Sequence, residues 1–314
     1  MSGGERETGL ERLFPDMSVL YRLERMSLPA KGRFRGTMQG KRRSRALGSS
    51  LEFADYRPYA PGDDIRRIDW NVYGRTGRAF VRQYWDEQEL SVCLYIDVST
   101  SMRFGEESGR KLDYALRLAA CVGYAALAGD DRVAVRLFAD GIVRELPMCR
   151  GRGAAHRLFR FLDGALRGDF EGEAGAAGGS DLYAAFRHPS ALPGRSGQTW
   201  LFTDGLHESG LEDTIRALLA AGQDVVYVQL LSPAEIDPQL AGELRLIDSE
   251  TGTGKEVAIG GSVVASYRQA VRQHCETIRR YCEERGVAYL FVDTGRPIAD
   301  TVLRSFREAG LLRG

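Results

Sequence analysis

Asp97, Ser99 and Ser101 set one carboxylate and two hydroxyls two residues apart, directly after Val92-Cys93-Leu94-Tyr95-Ile96, five side chains suited to a buried parallel strand. The carboxyl ends of such strands are where open α/β sheets keep their ligands. The Asp-x-Ser-x-Ser spacing alone also suits an ordinary Asx turn, so the decision falls to the later loops. Gly178-Gly179-Ser180-Asp181 closes a Gly- and Ala-rich stretch and starts a helix, which makes Ser180 both an N-cap candidate and a hydroxyl ligand. Leu201-Phe202-Thr203-Asp204-Gly205 repeats the pattern of an apolar strand ending in a carboxylate, with Gly205 allowing a tight turn. Asp97, Ser99, Ser101, Ser180 and Asp204 form an all-oxygen donor set, which suits Mg²⁺ or Mn²⁺ better than Zn²⁺. Two carboxylates neutralise such an ion without saturating it. The expected chemistry is therefore metal-dependent protein binding, in which an acidic residue of a partner protein completes the coordination, and not catalysis.

These loops require a sheet to position them. Strands are expected at residues 92–96, 133–138, 199–202, 225–230 and 288–292, and helices at 111–128, 154–166, 182–186, 211–221, 263–284 and 298–309. The alternation implies an α/β fold with a mostly parallel central sheet, right-handed crossovers and all strand-end loops on one edge. Ala139-Asp140-Gly141 is too short for a parallel crossover, so residues 142–146 read as one antiparallel edge strand. Residues 244–247 and 256–259 read as a late hairpin insertion. The chain divides in this reading into an amino-terminal extension, 1–88, and the sheet domain, 89–314. Within the extension, residues 10–28 have the spacing of one amphipathic helix, residues 80–85 read as a strand, and the Asp and Arg residues between 63 and 69 as ion pairs docking the extension onto the sheet.

Composition excludes several classes. With 314 residues, 43% of them hydrophobic, the chain can fill a sizeable core. Lys plus Arg and Asp plus Glu both number 43, so no global charge favours nucleic acid or an anionic membrane. Residues 31–45 carry seven basic residues and no acidic ones, and are read as a solvated loop before a nucleic-acid contact. Five cysteines without a Cys-x-x-Cys pair argue against a disulfide framework or zinc ribbon and for a reducing compartment. The first twelve residues lack the apolar core of a signal peptide, and no run is long enough to span a bilayer, so a cytoplasmic protein is expected. Residues 249–256 follow a phosphate loop superficially, but Ser249 stands at the first Gly and Glu256 where Ser or Thr would bind Mg²⁺, so a hairpin turn is expected. His207, three residues after Asp204, reads as a surface histidine ahead of one at the rim of the metal site, and a metal-dependent hydrolase is the rival function, for which neither general base nor basic clamp is evident.

Asp97-x-Ser99-x-Ser101, Ser180 and Thr203-Asp204-Gly205 together resemble the metal-ion-dependent adhesion site of von Willebrand factor type A domains, with Ser180 where the family usually has Thr. The resemblance implies a Rossmann-like fold for the sheet domain. Leu51-Glu52-Phe53-Ala54-Asp55-Tyr56-Arg57-Pro58-Tyr59, followed by Pro61-Gly62-Asp63-Asp64 and Arg66-Arg67-Ile68-Asp69-Trp70, is similar to the signature of the domain of unknown function 58 family, from about residue 34 to the carboxyl terminus. That resemblance implies an adaptor or chaperone-like partner of a MoxR-type AAA+ ATPase. Many relatives carry amino-terminal membrane spans, which this sequence does not show.

Overall fold

The computed structural model describes residues 9–29, 53–84, 89–105, 110–170, 181–239, 242–247 and 254–314. Two compact units emerge from its contacts, one of residues 1–30 and 90–314 and one of residues 31–89. Residues 9–29 therefore belong to the unit that holds the sheet, where the sequence reading places them in the amino-terminal extension. The basic residues 31–45 lie outside the described residues.

The larger unit is built on strands β3 (Ser91–Asp97), β4 (Arg132–Phe138), β5 (Ile142–Arg150), β6 (Gly197–Thr203), β7 (Gln223–Leu231) and β10 (Ala288–Asp293), in spatial order β10-β7-β6-β3-β4-β5. All pairings are parallel except β4 with β5, as the short Asp-Gly connection demands. The chain runs outward from β3 through β4 to the edge and then returns to lay β6 on the other side of β3. The order of strands thus reverses at β3 and β6, and a crevice at the carboxyl ends of that pair is the preferred ligand position of such sheets.

β3 is buried along its whole length, and its alternation divides the core. Val92, Leu94 and Ile96 join one apolar cluster with α4 (Lys111–Ala128), α5 (Ala155–Leu166) and the amino-terminal helices α1 (Gly9–Leu13) and α2 (Ser18–Leu23). Cys93 and Tyr95 join the cluster on the opposite face with α6 (Leu211–Ala220) and α8 (Gly261–Glu284). Continuous apolar strands covered on both faces are the reason the period-two pattern is weak in this sequence. The single helix expected over residues 10–28 is instead α1 and α2: Pro15 cannot continue the first, and Asp16 Oδ1 accepts from Ser18 N at 2.9 Å to start the second. A bidentate contact from Arg12 to Asp163, at 2.8 and 3.0 Å, ties α1 to α5. Residues 182–186 form a 3₁₀ rather than an α-helix, and the closing helical segment contains a π-turn at Thr301–Ser305. The short helix α7 (Pro233–Ile236) follows β7, and the hairpin of β8 (Gly242–Ile247) and β9 (Gly254–Ile259) is antiparallel.

The smaller unit pairs β1 (Phe53–Pro58) with β2 (Phe80–Tyr84) antiparallel and adds helix α3 (Trp70–Thr76), for which the aromatic and charged sequence gave no period. Asp69 is 3% exposed, caps α3 through Asn71 N and Val72 N, and accepts from Tyr56 Oη at 2.7 Å. Arg57 binds Asp63 at 2.7 Å and thereby holds that carboxyl below its usual range, while Arg66 binds Asp64 at 3.0 Å. Both ion pairs close turns within the unit.

No helix among the described residues is long and apolar enough to cross a membrane.

Two substitutions test this packing. A Cβ at Gly197 would lie 2.1 Å from the Ser91 carbonyl oxygen, so Gly197→Ala must displace backbone and should cost at least about 2 kcal/mol. Leu94, fully buried on β3, should lose about 2–5 kcal/mol on truncation to Ala. Urea denaturation measures both, and a cost under about 0.5 kcal/mol for either would contradict the assigned register and core.

Candidate metal centre

The two strands at the switch point deliver their carboxylates side by side. β3 ends at Asp97, whose Oδ1 accepts from Ser99 N at 2.9 Å, an Asx turn that folds the chain back over the strand end. The 3₁₀ turn Ser101–Arg103 follows, and the Ser99 and Ser101 hydroxyls stand 3.2 Å apart. β6 ends at Thr203, whose hydroxyl donates to Asp97 Oδ2 at 2.6 Å and so joins the two strand ends directly. Asp204 comes next, its Oδ1 accepting from Leu206 N at 3.0 Å and its carbonyl accepting from Gln229 Nε2 at 2.8 Å. Gly205 has φ of +73°, and a Cβ there would lie 2.9 Å from Tyr227 Oη and 3.1 Å from Gln229 Nε2. Only glycine meets both the torsion and the space.

Both carboxylates are fully buried, which raises the cost of their charge. Lys111, the first residue of α4 and itself fully buried, places Nζ 2.7 Å from Asp204 Oδ2 and 2.5 Å from Glu235 Oε1. Glu235 belongs to the capping box of α7, where its Oε2 accepts from Ser232 N and from the Ser232 hydroxyl. The two aspartates consequently diverge. Burial drives the Asp97 carboxyl upward, with the neighbouring Asp204 adding to the rise and His207 and Thr203 opposing it. Burial acts the same way on Asp204, but the Lys111 ammonium, together with hydrogen bonds from Leu206 N and Ser101, holds that carboxyl below its usual value. Three carboxylates against one ammonium leave a formal charge of minus two in the cluster when His207 is neutral.

His207 corrects the expectation of a surface residue. Its side chain is 6% exposed, Nε2 lies 3.4 Å from Asp97 Oδ2, and Nδ1 is buried without a hydrogen-bond partner among the described residues. Donor atoms of Asp97, Asp204 and His207 all fall within 4.8 Å of one another. Ser99 and Ser101 are within reach of the same carboxylates, Ser99 of Asp97 and Ser101 of Asp204. Carboxylate and hydroxyl oxygens, a formal charge of minus two and an imidazole nitrogen within 4.8 Å of both carboxylates fit a divalent cation.

Of the five residues expected from the sequence, Asp97, Ser99, Ser101 and Asp204 come together, and Ser180 lies outside the described residues. Its neighbour Asp181 caps the 3₁₀ helix by accepting from Tyr183 N at 3.0 Å, and pairs with Ser209 on the loop that follows Asp204. Lys111 and Glu235 carry no signal of the site in the sequence, whereas Thr203 stands in the motif read there without a role of its own. Thr203 and His207 flank Asp204 in sequence, whereas Lys111 reads as an ordinary cation opening a helix. A cavity of about 540 Å³, lined by Arg268, Arg272, Cys275 and Tyr289 among others, lies along α7, α8 and β10, apart from the carboxylate cluster.

The family model described as "Protein of unknown function DUF58" matches residues 55–277. Uncharacterized protein Mb1516 of Mycobacterium bovis and uncharacterized protein Rv1480 of Mycobacterium tuberculosis are each 27% identical over 307 residues, 95% of this chain and 93% of the relative. Among solved structures, the conserved hypothetical protein BatB from Bacteroides thetaiotaomicron aligns over 70% of this chain and 96% of its own, with 15% identity and a TM-score of 0.34. An aerotolerance-related membrane protein from Bacteroides fragilis aligns over 70% and 98%, with 16% identity and a TM-score of 0.39.

Lys111→Met strands the Asp204 and Glu235 carboxylates in a buried site and should destabilise the protein in chelator by about 3–5 kcal/mol. Denaturant unfolding checks this, and a loss below about 1 kcal/mol would show that the lysine does not carry the compensation assigned to it.

Proposed function

This chain belongs to the DUF58 family, whose description names no activity, and from its own site we propose that it is a divalent-metal-dependent protein-binding module. The larger unit is, in this reading, a von Willebrand type A-like domain, and a MoxR-type AAA+ ATPase is the partner that the sequence resemblance nominates. The observation that carries the proposal is the cluster at the ends of β3 and β6: buried carboxylates from adjacent strands, two serine hydroxyls, and a formal charge that one lysine leaves two short of neutral.

Asp97, Ser99, Ser101 and Asp204 would hold the ion, with Ser180 as the fifth oxygen expected from the sequence. When bound, a hard cation supplies an open coordination position that a Glu or Asp of the partner can fill. The chain's own residues fix the rest. Thr203 orients Asp97, Lys111 keeps Asp204 ionised, and the Asx turn at Ser99 directs both serines to one point. The rims of the two loops expose apolar side chains, Phe104 at 50% and Leu206 at 49%, so an acidic side chain of the partner would be approached between water-excluding neighbours. The hydrolase alternative asks for a cationic clamp on an incoming phosphate. Among the described residues the cation bound to the cluster is Lys111, and it is fully buried with Asp204 and Glu235 already as acceptors, so it lends that reading no support.

The purified full chain should capture a MoxR-type ATPase from its own source organism in Mg²⁺ or Mn²⁺ and release it in chelator, and Asp97→Asn, which keeps the side-chain shape, should abolish capture. Thermal unfolding read alongside should rise with metal by the equivalent of about 2.7 kcal/mol at a hundredfold excess over the dissociation constant. Capture that persists in chelator and in Asp97→Asn would refute the proposal.

A further inference from the structure

The four histidines differ in how their rings are satisfied. His156, His188 and His274 are exposed, yet each holds a contact of 2.7 Å, to the Gly153 carbonyl, the Ser190 hydroxyl and the Gly205 carbonyl. His207 has the opposite combination, since its side chain is 94% buried by the same measure that leaves 6% exposed, while Nε2 reaches only to 3.4 Å from Asp97 Oδ2 and Nδ1 has no partner among the described residues. A buried imidazole is ordinarily fixed by hydrogen bonds at its nitrogens, because burial without them forfeits hydration. The loop that carries it is also tightly determined. Leu206 N is bound to Asp204 Oδ1, Gly205 takes a left-handed turn that no other side chain fits, and His274 grips the Gly205 carbonyl from α8. So determined a loop places an under-satisfied ring beside two buried carboxylates, with donor atoms of all three residues inside 4.8 Å.

We propose that His207 is a nitrogen ligand of the cation site, so that the site prefers a first-row transition dication of the Mn²⁺ type to Mg²⁺. The inference rests on the metal-binding reading given above and deepens it. Magnesium keeps oxygen ligands and its own waters, whereas an imidazole nitrogen adds affinity for the transition dications. A donor set of two carboxylates, serine hydroxyls and one imidazole therefore discriminates where an all-oxygen set does not. This also revises the sequence expectation, in which oxygen donors alone left Mg²⁺ and Mn²⁺ equivalent.

The test is pulsed electron paramagnetic resonance on the full chain loaded with Mn²⁺ alone, together with calorimetric titration of Mn²⁺ and of Mg²⁺, for the wild type, His207→Gln and His274→Gln. The wild type should show ¹⁴N modulation of the Mn²⁺ signal and bind Mn²⁺ more tightly than Mg²⁺. His207→Gln should lose the modulation and at least about tenfold in Mn²⁺ affinity, the lower end of what loss of a ligand-orienting partner costs, with Mg²⁺ affinity little changed. Mn²⁺ bound without nitrogen modulation, or an equal loss of both metals in His207→Gln, would overturn the proposal while leaving a metal site in place. Modulation that survives in His207→Gln and vanishes in His274→Gln would assign the nitrogen to the other histidine and overturn it as well. Failure of the wild type to bind either ion would overturn both this inference and the reading beneath it.

Discussion

Negative charge buried at the ends of two adjacent strands has to be compensated, and the organisation of the larger unit follows from how that is done. Asp97 and Asp204 are both fully buried. An isolated carboxylate in such a place would take up a proton or unfold the site. The protein answers with one lysine, equally buried, and spends it on Asp204 and on Glu235. Asp97 is left with hydrogen bonds from Ser99 N and the Thr203 hydroxyl, and with a histidine at 3.4 Å. That asymmetry separates a carboxylate held ionised from one that burial pushes toward protonation, and on the proposed reading the charge it leaves is what a bound cation would compensate.

The fold places every participant. The reversal of strand order at β3 and β6 creates the crevice, the parallel register with Ile96 opposite Phe202 aligns the two strand ends, and α4 begins directly beneath them with Lys111. The same α4 packs Leu116, Ala119 and Val122 against the core face of the sheet, so the position of the ammonium is inherited from apolar packing rather than from flexible reach. α7 contributes Glu235 through a capping box, which makes the cap of a four-residue helix part of the site's electrostatics.

Where each feature could be read in the sequence follows from how local its cause is. The strands at 91–97 and 197–203 were legible because both are short, apolar and followed at once by hydroxyl and carboxylate residues; the antiparallel edge was legible because Ala139-Asp140-Gly141 allows nothing longer than a hairpin. Asp97, Ser99, Ser101 and Asp204 were legible for the same reason. Lys111 was not, since its partners stand 93 and 124 residues away and only the order of strands brings them together. The burial of the His207 side chain was not legible because one histidine in a polar loop carries no periodic signal. The break between α1 and α2 has a local cause in Pro15, which overrides the helical spacing of residues 10–28. α3 was hidden by exposed aromatics, Trp70 at 63% and Tyr73 at 45%, which no core-facing stripe organises.

The account stands or falls on one cation occupying the ground between the two strand ends. Anomalous difference maps from crystals of the full chain soaked in Mn²⁺, recorded on either side of the manganese absorption edge, locate that ion without reference to any partner. The account predicts a dominant peak bounded by Asp97, Ser99, Ser101 and Asp204. Fully occupied Mn²⁺ elsewhere on the molecule, with the Lys111–Asp204 pair undisturbed and no density between the strand ends, would contradict it.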